Sequence, residues 1–129
     1  MPLVLIVLIV DNEGLVRNLL TDVLRGSGYE VSLARSGFEA IEMVTTLAPD
    51  LVMLEVNMPG LDGWRTMEQL QATQPDLRIL MMSGSDVARE ALSHGAAAFL
   101  EKPYRPSDVV REVERLIGPG TPPDSRNVA

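Results

Sequence analysis

Short apolar runs in this sequence end on residues that can do chemistry. Asp11 and Asn12 follow Leu3–Val10, Glu55 ends the run that begins at Leu51, Ser83 follows Leu77–Met82, and Lys102 comes just after Ala97–Leu100. If the runs are buried parallel strands, their C-terminal ends arrive at one sheet edge, where loops converge while each strand holds its root fixed. Two acids, an amide, a hydroxyl and an ammonium would meet there. Such a group can hold a divalent cation on oxygen ligands while Ser83 and Lys102 face the far side of a carboxylate or a phosphoryl group. Other chemistries lack their parts. There is no cysteine and a single histidine, so no His and Cys set for zinc exists, and His94 reads as a helix-end residue before Gly95. The turn Asp11-Asn12-Glu13-Gly14 has one glycine and matches neither the dinucleotide fingerprint nor the P-loop.

The elements that must position these residues follow from hydrophobic period. The central stretch is Asp50–Gly63, DLVMLEVNMPGLDG. Leu51–Leu54 is full enough for a strand buried on both faces, and Met58-Pro59-Gly60 with Asp62-Gly63 cannot continue it. Before it, Leu3–Val10 predicts a first strand, and a helix from Asn12 or Glu13 carries an apolar stripe of Leu15, Val16, Leu19, Leu20, Val23 and Leu24. Gly26 and Gly28 close that helix, and Tyr29–Ala34 is a second strand. Ser36 and Glu39 have capping-box spacing for a helix that turns Ala40, Ile41, Val44 and Ala48 inward until Pro49 stops it.

After the central loop, Asp62 caps a helix to about residue 72 with Trp64, Met67 and Leu70 on its inner side. The fourth strand is Leu77–Met82, Ser83-Gly84-Ser85 turns into a short helix over 86–93, and the fifth strand is Ala97–Leu100. Pro106 fits the first turn of a last helix burying Val109, Val110, Val113, Leu116 and Ile117. Five strands alternating with five helices make a parallel α/β three-layer sandwich with right-handed crossovers.

The 129 residues suffice for one ordinary domain, expected over 1–118, and the Pro- and Gly-rich remainder, 119–129, reads as a flexible tail or a truncated linker. Met1–Val10 has no basic start and is about half the span of a membrane helix, so it reads as a buried strand and the protein as cytoplasmic. Eighteen acids against eleven bases give a formal charge of -7, which argues against direct nucleic-acid or anionic-membrane binding by this chain.

Over Leu3–Ile117 the chain resembles a receiver domain of the bacterial two-component response regulators, through these strand ends together with LEVNMPGLDG, MMSG and FLEKP. The resemblance implies a flavodoxin-like sheet of order 2-1-3-4-5 and a phosphorelay signalling module rather than an enzyme. In that family an acidic pair after the first strand helps bind magnesium. An aspartate ending the third strand takes a phosphoryl group from a partner kinase's histidine, a Ser or Thr ending the fourth binds that group, and a lysine ending the fifth pairs with it. By resemblance Asp11 holds the first acidic position, Ser83 the hydroxyl position and Lys102 the lysine position, and Asn57 lends its backbone carbonyl to the metal. Phe99 matches the aromatic coupled to the hydroxyl, and Pro103 the proline that commonly follows a cis bond. The expected partner is a histidine kinase or an effector protein, or a second copy forming a homodimer. It would meet the face of the fourth helix, fifth strand and fifth helix, where Arg89, Ser93, Arg105, Arg111 and Arg115 offer polar and basic points.

Two departures bear on the chemistry. Asn12 stands where the family has its main metal-binding acid, and Glu55 where it has the phosphoacceptor aspartate. Losing one carboxylate weakens or abolishes Mg²⁺ binding at Asp11, Asn12, Glu55 and Asn57. The extra methylene of Glu55 moves its carboxylate roughly 1 Å, a displacement that can cost in-line transfer about a hundredfold. It also lets Glu55 reach toward Lys102 and Ser83, a partial mimic of the phosphorylated state. Three readings follow: a degenerate receiver acting by contact, a receiver still phosphorylated, and a constitutive scaffold or dimerisation module. Blander roles stand beside them, with Asp11 and Ser83 as helix or turn caps, Glu55 as no more than the partner of Lys102, and Phe99 as core.

Overall fold

The computed structural model describes residues 4–121. Five parallel strands form one sheet: β1 (Ile6–Val10), β2 (Glu30–Ala34), β3 (Leu51–Glu55), β4 (Ile79–Ser83) and β5 (Ala98–Glu101), in the order β2-β1-β3-β4-β5. The crossovers are α1 (Gly14–Gly26), α2 (Gly37–Leu47), α3 (Gly63–Thr73) and α4 (Ala88–Ser93), and α5 (Pro106–Ile117) follows the last strand. This is the flavodoxin-like three-layer sandwich expected from the sequence.

Strand periodicity divides the interior in two, because successive side chains on a strand point to opposite faces. Leu8, Val10, Val52, Leu54, Ile79 and Met81 pack with Ala40 and Val44 of α2, Met67 and Leu70 of α3 and Ala91 of α4. The alternate residues, Val7, Ile9, Leu51, Met53, Leu80 and Met82, pack with Leu20 and Leu24 of α1 and Val109 and Val113 of α5. Every residue of β3 and β4 is buried, which is why those runs lack polar alternation and why their last residues, Glu55 and Ser83, are carried into a low-dielectric edge.

Several local expectations change. Residue 3 lies outside the described residues, and β1 begins at Ile6. On α1, Leu15 and Leu19 face solvent at 85% and 54% exposure, while Leu20, Thr21 and Leu24 are buried. Apolar residues cover a wider arc of this helix than the sheet can contact. Ala48 is an exposed C-cap in the left-handed region, φ 48°, rather than an inward residue. Ser36 caps α2 by accepting the Glu39 N–H at 3.1 Å, and Asp62 caps α3 through the Arg65 N–H at 2.9 Å. Trp64 and Val110 are half-buried, β4 starts two residues later than Leu77, and α4 starts two later than Asp86.

The segment after α5 turns back onto the domain. Tyr29, fully buried, donates its hydroxyl to the Gly118 carbonyl at 2.7 Å, and the Thr121 N–H donates to the Gly28 carbonyl at 3.1 Å. A Cβ on Gly28 would lie 2.2 Å from the Thr121 carbonyl oxygen, and one on Gly120 would lie 2.3 Å from the Ser27 carbonyl oxygen. Residues 118–121 therefore lie against the α1–β2 turn, whereas the rest of the expected tail, 122–129, lies outside the described residues. No helix among the described residues is long and apolar enough to cross a membrane.

Candidate functional site

The strand ends converge at one edge. Asp11 extends the β1–β2 ladder by donating its N–H to Ala34 at 3.2 Å, and its side chain is fully buried. One carboxylate oxygen, Oδ1, accepts the Glu13 N–H at 2.9 Å, and the other, Oδ2, lies 3.3 Å from Lys102 Nζ. Asp11 thus shapes the turn before α1 and belongs to a charge cluster as well. Arg17, from the first turn and a half of α1, donates to the Asp11 carbonyl at 2.7 Å and braces the same turn.

Glu55, 5% exposed, is held by the close return of the β3–α3 loop, in which the Gly63 N–H donates to Val56 at 2.8 Å. A Cβ on Gly63 would sit 2.3 Å from the Glu55 carbonyl oxygen, so only glycine fits there. Glu55 Oε1 receives a short hydrogen bond from Lys102 Nζ, and Oε2 accepts the Asn57 N–H at 3.2 Å. Lys102 is fixed from below by its own N–H, which donates to the Ser83 carbonyl at 2.8 Å, and the bond to Pro103 is cis. Partial burial is the largest single influence on the ammonium and works to lower its pKa. The hydrogen bond to Glu55 and the charges of Asp11 and Glu55 outweigh it, and the pKa is raised above the ordinary lysine value.

Ser83, fully buried, points its hydroxyl elsewhere. Its Oγ accepts the Asn57 side-chain amide at 3.1 Å and the Ser85 N–H at 3.0 Å. The expected direct reach of Glu55 to both Lys102 and Ser83 is therefore realised only at Lys102. Both Glu55 oxygens are committed, one to the ammonium and one to the Asn57 N–H. Phe99 is half-buried against the core shared by α2, α3 and α4, and Asn12 is exposed, with its amide outside the cluster's hydrogen bonds.

Three contributors escaped the sequence reading. The Asn57 side chain had a local signal, a turn amide two residues after a strand-ending acid. Tyr104 had one too, an aromatic two residues after the lysine. Its hydroxyl contacts Met82 Sδ at 3.6 Å, and its pKa is raised by burial, with Lys102 opposing and Asp11 and Glu55 reinforcing. Arg17 had none, being one basic residue in a charged helix.

A magnesium ion is the group the fold family implies. The residues as arranged do not fit one, because the Lys102 ammonium lies between the two buried carboxylates and backbone N–H groups take their remaining oxygens. Among the described residues no three of His, Cys, Asp and Glu are grouped as a ligand set.

A parallel sheet of this order, with an acid, a hydroxyl and a lysine on adjacent strand ends, defines a receiver module of two-component signalling. The chain belongs to the response regulator receiver domain family, whose model matches residues 7–114. It is 36% identical over 121 residues to the response regulator MprA of Mycolicibacterium vanbaalenii, covering 92% of this chain and 52% of that protein. It is 37% identical over 122 residues to MprA of Mycobacterium leprae, covering 92% and 54%. The chain thus spans about half the length of these curated relatives. Among solved structures, the chemotaxis protein CheY4 of Vibrio cholerae superposes with a TM-score of 0.81 at 27% identity, over 88% of this chain and 99% of that one. The receiver domain of NtrX from Brucella abortus gives 0.82 at 29%, over 86% and 97%.

Proposed function

We propose that the chain is a degenerate receiver, a domain spanning 1–118 that signals in the cytoplasm by protein contact, with Glu55 at the phosphoacceptor position and no ordinary phosphoryl transfer to it. The observation that carries this is the Lys102 ammonium bonded to both Asp11 and Glu55. A carboxylate so engaged, and longer by one methylene than the family's acceptor, is poorly placed for in-line attack, and a charge already neutralised from within gains less from a metal. In this reading Asp11, Asn12, Glu55 and the Asn57 carbonyl are the remnant of a metal site that binds Mg²⁺ weakly or not at all. Ser83, Phe99 and Pro103 occupy the switch positions.

The contact face we assign to a histidine kinase, an effector or a second copy is that of α4, β5 and α5. Arg111 and Arg115 are paired within α5 to Asp108 and Glu112, whereas Arg89 and Arg105 are exposed and make no ion pair among the described residues. Those two guanidinium groups are the ones on this face best able to meet an acidic partner. Intact-mass spectrometry after incubation with a small acyl-phosphate donor and excess Mg²⁺ tests the central claim. The native chain is expected to gain little or no phosphoryl mass, and ready, stoichiometric labelling of Glu55 would overturn the degenerate reading.

A further inference from the structure

Glu55 and Ser83 do not bond to each other, yet one residue touches both. The Asn57 main-chain N–H donates to Glu55 Oε2 at 3.2 Å, and its side-chain Nδ2 donates to Ser83 Oγ at 3.1 Å. Ser83 Oγ also accepts the Ser85 N–H at 3.0 Å, the Ser85 carbonyl accepts the Val87 N–H at 3.0 Å, and the Val87 carbonyl accepts the Ala91 N–H at 2.9 Å inside α4. A continuous path of hydrogen bonds therefore runs from Lys102 through Glu55, Asn57, Ser83 and Ser85 to the first turn of α4. It is closed, in that no buried side-chain polar atom among the described residues lacks a partner.

We propose that Asn57 is a positioning residue that conveys the state of Glu55 to Ser83 and on to the start of α4. Its side-chain amide bridges the gap that the engaged carboxylate leaves open. The inference rests on the reading of Glu55 as an unmodified residue at the acceptor position. The physical ground is that Ser83, fully buried, must have its hydroxyl satisfied, and two loops compete to set its direction. Asn57 holds it toward β3 and Ser85 toward α4. When the Glu55 carboxylate holds the Asn57 N–H, the β3–α3 loop is fixed and the amide is aimed at Ser83. When that hold weakens, the loop relaxes and the hydroxyl is released.

The test is amide-proton exchange at Ser85, measured by NMR, in a double-mutant cycle with Glu55→Gln. Glutamine keeps the shape of the side chain but removes the charge that draws the Asn57 N–H. In the native background Glu55→Gln is expected to slow Ser85 exchange about 2- to 10-fold, because the hydroxyl released by Asn57 turns fully to the Ser85 N–H, and this is the range for one hydrogen bond of ordinary net strength. In Asn57→Ala and in Asn57→Leu, which keeps the volume without the donor, the same change is expected to leave Ser85 exchange unaltered. Asn57 is exposed, so both variants should fold. A Ser85 response that persists in either Asn57 variant, or is missing in the native background, overturns the proposal. Phosphoryl uptake is scored separately by mass, so this inference and the degenerate reading fail on different measurements.

Discussion

Removing the ammonium at the centre of the site should be among the most damaging single changes available. Lys102→Met keeps the side-chain length and leaves Asp11 and Glu55, 0% and 5% exposed, as neighbouring carboxylates without a counter-ion. At 3.3 Å the Asp11–Lys102 attraction alone is roughly 5 kcal/mol in an effective dielectric of about 20. Desolvation of all three groups offsets much of this, since the Lys102 side chain keeps only 21% of its exposure. Loss of one partner of a buried pair costs about 3 to 5 kcal/mol, and partial solvent access at Lys102 places the expectation at the lower end, about 3 kcal/mol at pH 7. Urea unfolding followed by circular dichroism reads this directly, and thermal unfolding should show a fall in Tm on the order of 10 °C for a domain of this size. Adding Glu55→Gln should recover a large part of the loss, since it removes one of the two stranded charges. A Lys102→Met cost below about 1 kcal/mol, the value of an exposed pair, would refute the reasoning and place the cluster effectively in water.

Mg²⁺ titrated calorimetrically into the native chain should bind with a Kd in the millimolar range or weaker, only about 4 kcal/mol, and a Kd near or below about 10 µM would contradict the donor-set argument. Glu55→Asp alone should restore phosphoryl labelling only in part, and adding Asn12→Asp should raise it by more than the two single effects combined, because both residues serve one constellation. Intact mass reports both. Gly28→Ala and Gly120→Ala should each lower stability by about 1 to 3 kcal/mol in urea unfolding, since each Cβ meets main-chain atoms, while Gly26→Ala, with nothing within 4 Å, should be near neutral. At alkaline pH the folded state retains the Lys102 proton beyond the point where the unfolded chain releases it. Its contribution is therefore complete below the ordinary lysine pKa and is lost as pH rises through the higher folded value. The alkaline decline in stability should be shallower in Lys102→Met than in the native chain, with Tyr29 and Tyr104, whose pKa values are also raised, supplying what remains.

The alternation of strands and helices was readable because its signals are local. An unbroken apolar run such as Leu51–Leu54 and a cap such as Ser36 or Asp62 each act within a few residues, and the polar residue closing a buried run marks the functional edge wherever the strands are parallel. Helix faces were less readable. The stripe on α1 includes Leu15 and Leu19, and which part of it the sheet covers depends on how the helix is rotated by α5 and β2. The site was legible as a set of residue types but not as a set of bonds. Lys102 meets Glu55 across 47 residues and Asp11 across 91, and Asn57 meets Ser83 across 26. From the sequence alone, Glu55 was expected to reach both Lys102 and Ser83. The folded chain decides for Lys102, because a buried carboxylate gains more from an ammonium than from a hydroxyl, and the hydroxyl is then left to the Asn57 amide.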